Sequence, residues 1–149
     1  MMKHLEDFEA GQVFTFRTAP LGEPDIIAFA SQWDPQRLHT DKEYATSIHG
    51  NLIASGFQTL LLVFGPIMRD LMTGVANIGG TGFDRLRWHR PLYPGQPLDV
   101  RMEVLTVRPS RSKPDRGIIS YRVEASNPSG DLVLSLDTAA MVKRRGQAG

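Results

Sequence analysis

No cysteine occurs in the 149-residue chain, which excludes a disulfide framework, a thiolate nucleophile and a Cys-ligated metal centre. No charge of one sign dominates either. Seventeen Lys and Arg stand against sixteen Asp and Glu, a formal net charge of +1. The broad positive field of non-specific nucleic-acid binding is therefore missing, and a small molecule is the expected partner. No apolar run approaches the ~18 residues of a membrane span, and the opening "MMKHLEDFEAGQ" has no apolar leader core. A soluble, unexported, cytoplasmic protein is expected. Internal repeats and linkers are also lacking, apart from a polar tail at about 144–149, so residues 1–149 read as one domain. A domain of this size buries roughly two thirds of the surface its unfolded chain exposes.

What is present begins with a period of two. "QVFTFRT" at 12–18 reads as a short strand. The period then changes: Ile26, Phe29, Ala30 and Trp33 recur at helical spacing, with Pro24 in the first turn where its missing N–H costs nothing. Asp34 lies just past this helix. Thr40 and Glu43 form a T-x-x-E capping box, which predicts a second, short helix from Asp41 to about Ser47. The most apolar stretch, "SGFQTLLLVFGPIMRDLM" from Ser55 to Met72, predicts a helix buried on nearly every face, capped through Ser55 and Gln58 and kinked at Pro66.

After the connector "GGTG" the chain alternates again, in "FDRLRWHR", "LDVRMEVLTV", "IISYRVEA" and "LVLSLDTAAMV". The last two are joined by the turn "NPSG". The implied architecture is α+β: one strand, a helical insertion with a long central helix, then four strands in a meander, giving an antiparallel sheet wrapped around one helix. Such a sheet leaves an edge and a partly bare face, so a symmetric homodimer is expected.

The stretch "DPQRLHTD" places Asp34 and His39 in one loop, shortly before a helix start at Ser55 and Gly56. Either residue alone is ordinary: an Asp after a helix, a His before a cap. Together they are a carboxylate and an imidazole that can divide acid and base duties on one water. A helix N-terminus nearby offers unpaired N–H groups to a developing oxyanion.

The segment "FASQWDPQRLHTDKEYATSIHGNLIAS", with "HRPLYPGQPLDV" and "SRSKPDRGIISYRVEASNPSGDLVLS" after it, resembles MaoC-like dehydratases and (R)-specific enoyl-CoA hydratases. Asp34, Leu38, His39, Asp41, Ala45 and Gly56 fall on the family's pattern. The chain departs from it at Gln36-Arg37, where the family has Asn-Pro, and at Trp33, where it has Gly. The resemblance implies a single hot-dog domain with a short helical active-site insertion. It also implies hydration of the 2,3 double bond of an acyl thioester, (R)-3-hydroxyacyl-CoA being the product type. Asp34 and His39 would form the catalytic pair, Gly56 the oxyanion donor, and Ser55 and Gln36 would line the substrate site. Neither metal nor cofactor is implied, coenzyme A entering only as the substrate's carrier.

Other features carry less. Ser55 lacks a G-x-S-x-G elbow, and capping already explains it. His49 and His89 stand alone, and "GGTG" lacks the Lys-Ser/Thr of a phosphate loop. The run "RPSRSKPDR" supplies Arg108, Arg111, Lys113 and Arg116, which either meet coenzyme A phosphates or form a solvated hairpin loop. Two rivals to the hydratase remain. A thioesterase would use a carboxylate or amide on the central helix, where Gln58 and the distant Asp70 are on offer. A non-catalytic acyl-CoA-binding protein would bind thioester without turnover.

Overall fold

Strict alternation decides which way each of the three longest-paired strands faces. In β3 (Asp99–Pro109), Val100, Met102 and Val104 are buried while Asp99 and Arg101 face solvent. In β4 (Arg116–Ser126), every second residue from Gly117 to Ala125 is buried, and β5 (Leu132–Lys143) does the same from Leu134 to Val142. A period of two on one face is what a sheet with a single buried side requires.

The computed structural model describes residues 1–146. Ahead of these strands lie β1 (Val13–Arg17), α1 (Glu23–Trp33), α2 (Arg37–Thr40), α3 (Lys42–His49), α4 (Gly56–Asp70) and β2 (Asn77–Trp88). The four pairings between these strands are antiparallel, and the sheet order is β1-β3-β4-β5-β2. The buried face packs on α4 through Val63 and Ile67, both fully buried, in one continuous core with Met102, Val123 and Leu136. This sheet around a central helix is the hot-dog arrangement, as the resemblance implies.

Several local expectations need correction. The four later strands are not a simple meander: only β3, β4 and β5 are, while β2 crosses to the far edge and pairs with β5. "GGTG" is not a connector. Gly79 to Gly82 lie inside β2, where the register against β5 shifts three times and Gly82 takes a φ of +129°. Glycine suits a strand that must bend and bulge, so it did not mark the strand's beginning.

Asp41, not Thr40, caps α3, accepting the Tyr44 N–H at 3.1 Å; the Thr40 hydroxyl donates back to the Gln36 carbonyl instead. Residues 37–40 form a helical turn of their own, α2. Gln58 does not complete a capping box with Ser55 either, since its amide donates to the Asp25 carbonyl at 3.2 Å.

α4 runs unbroken through Pro66, which is buried. A proline inside a helix costs about 3 kcal/mol, less than the packing of the surrounding Val63, Ile67 and their neighbours contributes. Nor is α4 covered all round: Phe57 and Leu61 are more than half exposed. The tail is partly tied down, with Arg144 donating its N–H to the Asp115 carbonyl and Arg145 paired with Asp7; its last three residues, 147–149, lie outside the described residues. Among the described residues no helix is long and apolar enough to cross a membrane.

Two glycines test the packing. A Cβ on Gly117 would overlap the Arg108 carbonyl oxygen and the Leu5 side chain, whereas one on Gly74 would meet nothing within 4 Å. Gly117→Ala is expected to lower unfolding stability by about 1–3 kcal/mol, as overpacking does. Gly74→Ala should leave it within about 0.5 kcal/mol, like most surface changes. Urea denaturation of both variants checks the contrast.

Candidate active site

Four separate segments build one cleft. The end of α1 delivers Asp34, whose N–H still bonds to the Ala30 carbonyl at 2.8 Å, and the single turn of α2 delivers His39. The segment before α4 supplies Ile53 and Ala54 to the lining, with Ser55 fully buried next to them. The end of β2 and the residues after it, Trp88 to Leu92, close the far side, and the Ala54 N–H on the Leu92 carbonyl at 2.9 Å stitches the two together. The cleft has a volume of about 420 Å³ and is lined by Asp34, Gln36, His39, Gly56, Thr59 and Trp88 among others.

His39 is 5% exposed. Its Nδ1 lies 2.8 Å from the Ile53 carbonyl oxygen, which can only accept, so Nδ1 carries the hydrogen. That leaves Nε2 toward the cleft, 3.3 Å from Asp34 Oδ2. A tautomer fixed from behind by a backbone carbonyl presents its free nitrogen for proton transfer.

Asp34 is held on both oxygens. Oδ2 accepts the Ser55 hydroxyl at 2.7 Å, and Oδ1 accepts the Gln36 side-chain amide at 2.7 Å. Burial alone would raise its pKa. The hydrogen bonds from Gln36 and Ser55 and the attraction of His39 outweigh it, and the carboxyl is held below its ordinary value.

Ser55 is fully buried and does two things at once. Its oxygen accepts the Phe57 N–H at 3.3 Å as the cap of α4, while its hydrogen goes to Asp34. Gly56 is the first residue of α4, and no acceptor among the described residues takes its N–H. Helix geometry leaves that donor unpaired and adds the positive end of the helix dipole.

The structure thus brings together Asp34, His39, Ser55, Gly56 and Gln36. It does not bring in the basic hairpin. Arg108, Arg111, Lys113 and Arg116 lie around the β3–β4 turn, and Arg116 is engaged with Asp115 at 2.9 Å. The cleft lies at the other end of the sheet, where Trp88, Leu134 and Ala125 are neighbours in register. At about 3.3 Å per residue, the run of β4 from Arg116 to Ala125 separates them by roughly 30 Å, so these four side chains do not reach the cleft of their own chain.

Sequence reasoning missed Trp88, Thr59 and the backbone carbonyl of Ile53. A lone Trp at the end of a strand was the available signal for the first. His89, set aside as solitary, lines the cleft and bonds to the Ser135 hydroxyl at 2.7 Å. His49 contributes only its carbonyl, to the Tyr93 hydroxyl at 2.9 Å. Gln58 turns away toward α1, and Asp70 is exposed at the opposite end of α4. Among the described residues no group of three or more His, Asp or Glu is gathered as a metal site would require.

The chain is 32% identical over 141 residues to the uncharacterized protein YdeM of Bacillus subtilis (strain 168), covering 94% of this chain and 99% of that one. The solved MaoC-like dehydratase of Rhodospirillum rubrum superposes with a TM-score of 0.82 at 33% identity, covering 96% of this chain and 98% of that one. The (R)-hydratase PhaJ1 of Pseudomonas aeruginosa, in its unliganded form, gives a TM-score of 0.73 at 26% identity, with 93% and 84% covered. The family model described as "MaoC like domain" matches residues 7–127, and with the buried Asp-His pair set against the start of the central helix, the chain belongs to the MaoC-like family.

Proposed function

We propose that this protein is a hydratase/dehydratase that adds or removes water across the 2,3 double bond of an enoyl thioester of the coenzyme A type, with the (R)-3-hydroxyacyl thioester as product. The observation that carries the reading is the juxtaposition of Asp34 and His39, with His39 Nε2 facing the cleft, beside the unpaired N–H of Gly56. The (R)-hydratase among its structural relatives supports the same chemistry.

In the hydration direction, one water is held from the cleft side by both Asp34 and His39, which lie too close together to admit it between them. His39 Nε2 takes a proton as the water oxygen bonds to C3, and the ionised Asp34 stabilises the imidazolium that forms. Electron density moves through C2 to the thioester oxygen, where the Gly56 N–H and the helix dipole meet the developing negative charge. The imidazolium then returns its proton to C2 from the same face. Atoms and charge balance with no added group. Dehydration is the reverse.

A thioesterase has less support. It would want a carboxylate or amide on α4 facing the cleft, and Gln58 and Asp70 both point elsewhere. The protein is further proposed to act as a homodimer. β2 is an edge strand paired on one side only, and its Phe83 together with Phe57 and Leu61 of α4 leaves exposed apolar surface for a second copy to cover.

The decisive assay mixes the protein with short and medium trans-2-enoyl-CoA thioesters and follows both loss of the conjugated absorbance and release of free thiol. Absorbance loss without thiol is expected. Asp34→Asn and His39→Gln should each lower the rate by about 10²–10⁴, the usual worth of general acid–base help, while still folding. Thiol release would establish the thioesterase, and binding with neither signal the non-catalytic reading.

A second prediction concerns charge. Asp34 should titrate below the ordinary 3.8. Because the folded-state value is the lower one, this group stabilises the fold above the ordinary value, and that contribution fades as pH falls through the lowered one. Gln36→Ala removes the amide on Oδ1 and should raise the midpoint, as read by carbon NMR of labelled aspartate. An unmoved midpoint would deny Gln36 this role.

A further inference from the structure

Trp88 ends β2 with its indole laid across Gly56. The indole N–H donates to the Gly56 carbonyl at 2.9 Å. A Cβ on Gly56 would stand 2.7–3.1 Å from three atoms of the ring, so glycine is the residue that fits beneath it. Trp88 is 45% exposed and lines the cleft, so core packing does not explain its place. Its backbone is fixed by the sheet: Trp88 pairs in register with Leu134 of β5, which is fully buried.

We propose that Trp88 is a positioning residue that clamps the first turn of α4, holding the Ser55-Gly56-Phe57 backbone in the orientation the Gly56 N–H needs. Its kinetic consequence rests on the hydratase reading above; its structural consequence does not.

The need for a clamp follows from chemistry. Gly56 opens a helix, where turns fray, and it has no side chain to restrict its own backbone. An oxyanion donor works only if it is already aimed when charge develops. Trp88 supplies the aim from the sheet, where its backbone pairs with Leu134 of β5.

The clamp also connects to the acid–base pair. The peptide unit whose carbonyl accepts the indole N–H carries the Phe57 N–H, which donates to Ser55 Oγ at 3.3 Å. The Ser55 hydroxyl in turn donates to Asp34 Oδ2 at 2.7 Å, and that oxygen lies 3.3 Å from His39 Nε2. Every donor in this chain points the same way, toward the carboxylate. Bonds arranged head to tail polarise one another, so a donor at the far end strengthens the grip on Asp34.

The test uses Trp88→Phe, which keeps an aromatic ring and loses the donor, with Gly56→Ala as a second variant that displaces the ring while leaving Trp88 in the chain. Steady-state kinetics on trans-2-enoyl-CoA, thermal unfolding and amide hydrogen exchange of residues 55–60 are measured for each. Trp88→Phe is expected to lower kcat by about three- to tenfold, the effect of one lost hydrogen bond on a barrier. KM should stay within about twofold, since the loss falls on the barrier and not on substrate binding. Amide exchange at the start of α4 should quicken in both variants with little change in melting temperature. Wild-type exchange rates in Trp88→Phe would overturn the proposal, and so would a loss confined to KM, which marks a mere wall of the substrate site. If the wild-type protein hydrates no enoyl thioester, the hydratase reading fails and the exchange arm still decides. Faster exchange then supports the clamp, and unchanged exchange removes it.

Discussion

The hydrogen bond from Ser55 to Asp34 joins the two parts of this molecule that the chain itself keeps apart. On one side is the helical insertion that ends in Asp34 and His39; on the other is α4, the helix the sheet wraps. The hydroxyl lies fully buried between them, capping α4 with its oxygen and gripping the carboxylate with its hydrogen. A serine at a helix cap is common, and one whose remaining donor is spent on a carboxylate from another helix is a tertiary constraint. Because of it, the Asp34–His39 pair and the start of α4 sit in one frame.

That frame is supported from outside by ordinary surface contacts. Lys42 reaches Glu23 at 2.6 Å and ties α3 to α1, while Arg37 pairs with Asp41 and lies 4.1 Å from the centre of the Tyr44 ring. Each is an exposed contact worth little alone. Their effect is geometric: they hold α2 against its neighbours, so that His39 can be pinned by the Ile53 carbonyl in one tautomer. The energetic weight lies deeper, in the shared core of α4 and the sheet.

Much of this was legible in the sequence, and the exceptions share a cause. Strands β3, β4 and β5 announced themselves because one face is buried, so their period is two over long stretches. α1 and the start of α4 were legible from helical spacing and from Pro24 and Ser55. β2 was half hidden: it bulges against β5 and uses glycine to do so, and its alternation is lost with its register. Its position at the far edge depends on which strands meet in space, which no local pattern records. Thr40 had the right spacing for a cap, but a competing turn at α2 used its hydroxyl first. Within the site, Asp34, His39, Ser55 and Gly56 were readable as a spacing of chemical types. Trp88 was not, because its partner Gly56 is more than thirty positions away and glycine carries no side chain to signal the contact.

The departure of Gln36-Arg37 from the Asn-Pro of the family can now be judged by where the side chains go. Gln36 lines the cleft, but its side chain does not extend across it. It folds back two residues to the Asp34 carboxylate, at a distance ordinary for a charge-assisted bond. Arg37 turns outward to Asp41 and Tyr44, leaving the cleft free of its charge. Arg37 opens the helical turn α2, and its side chain is engaged on the outer side of that turn. The chain therefore keeps an amide at this position, donating to Asp34, and keeps the charge of Arg37 outside the cleft. With both its oxygens occupied by donors and its pKa lowered, Asp34 is better suited to remain a fixed negative charge than to carry a proton, which is why the proposed hydration routes the proton through His39 Nε2.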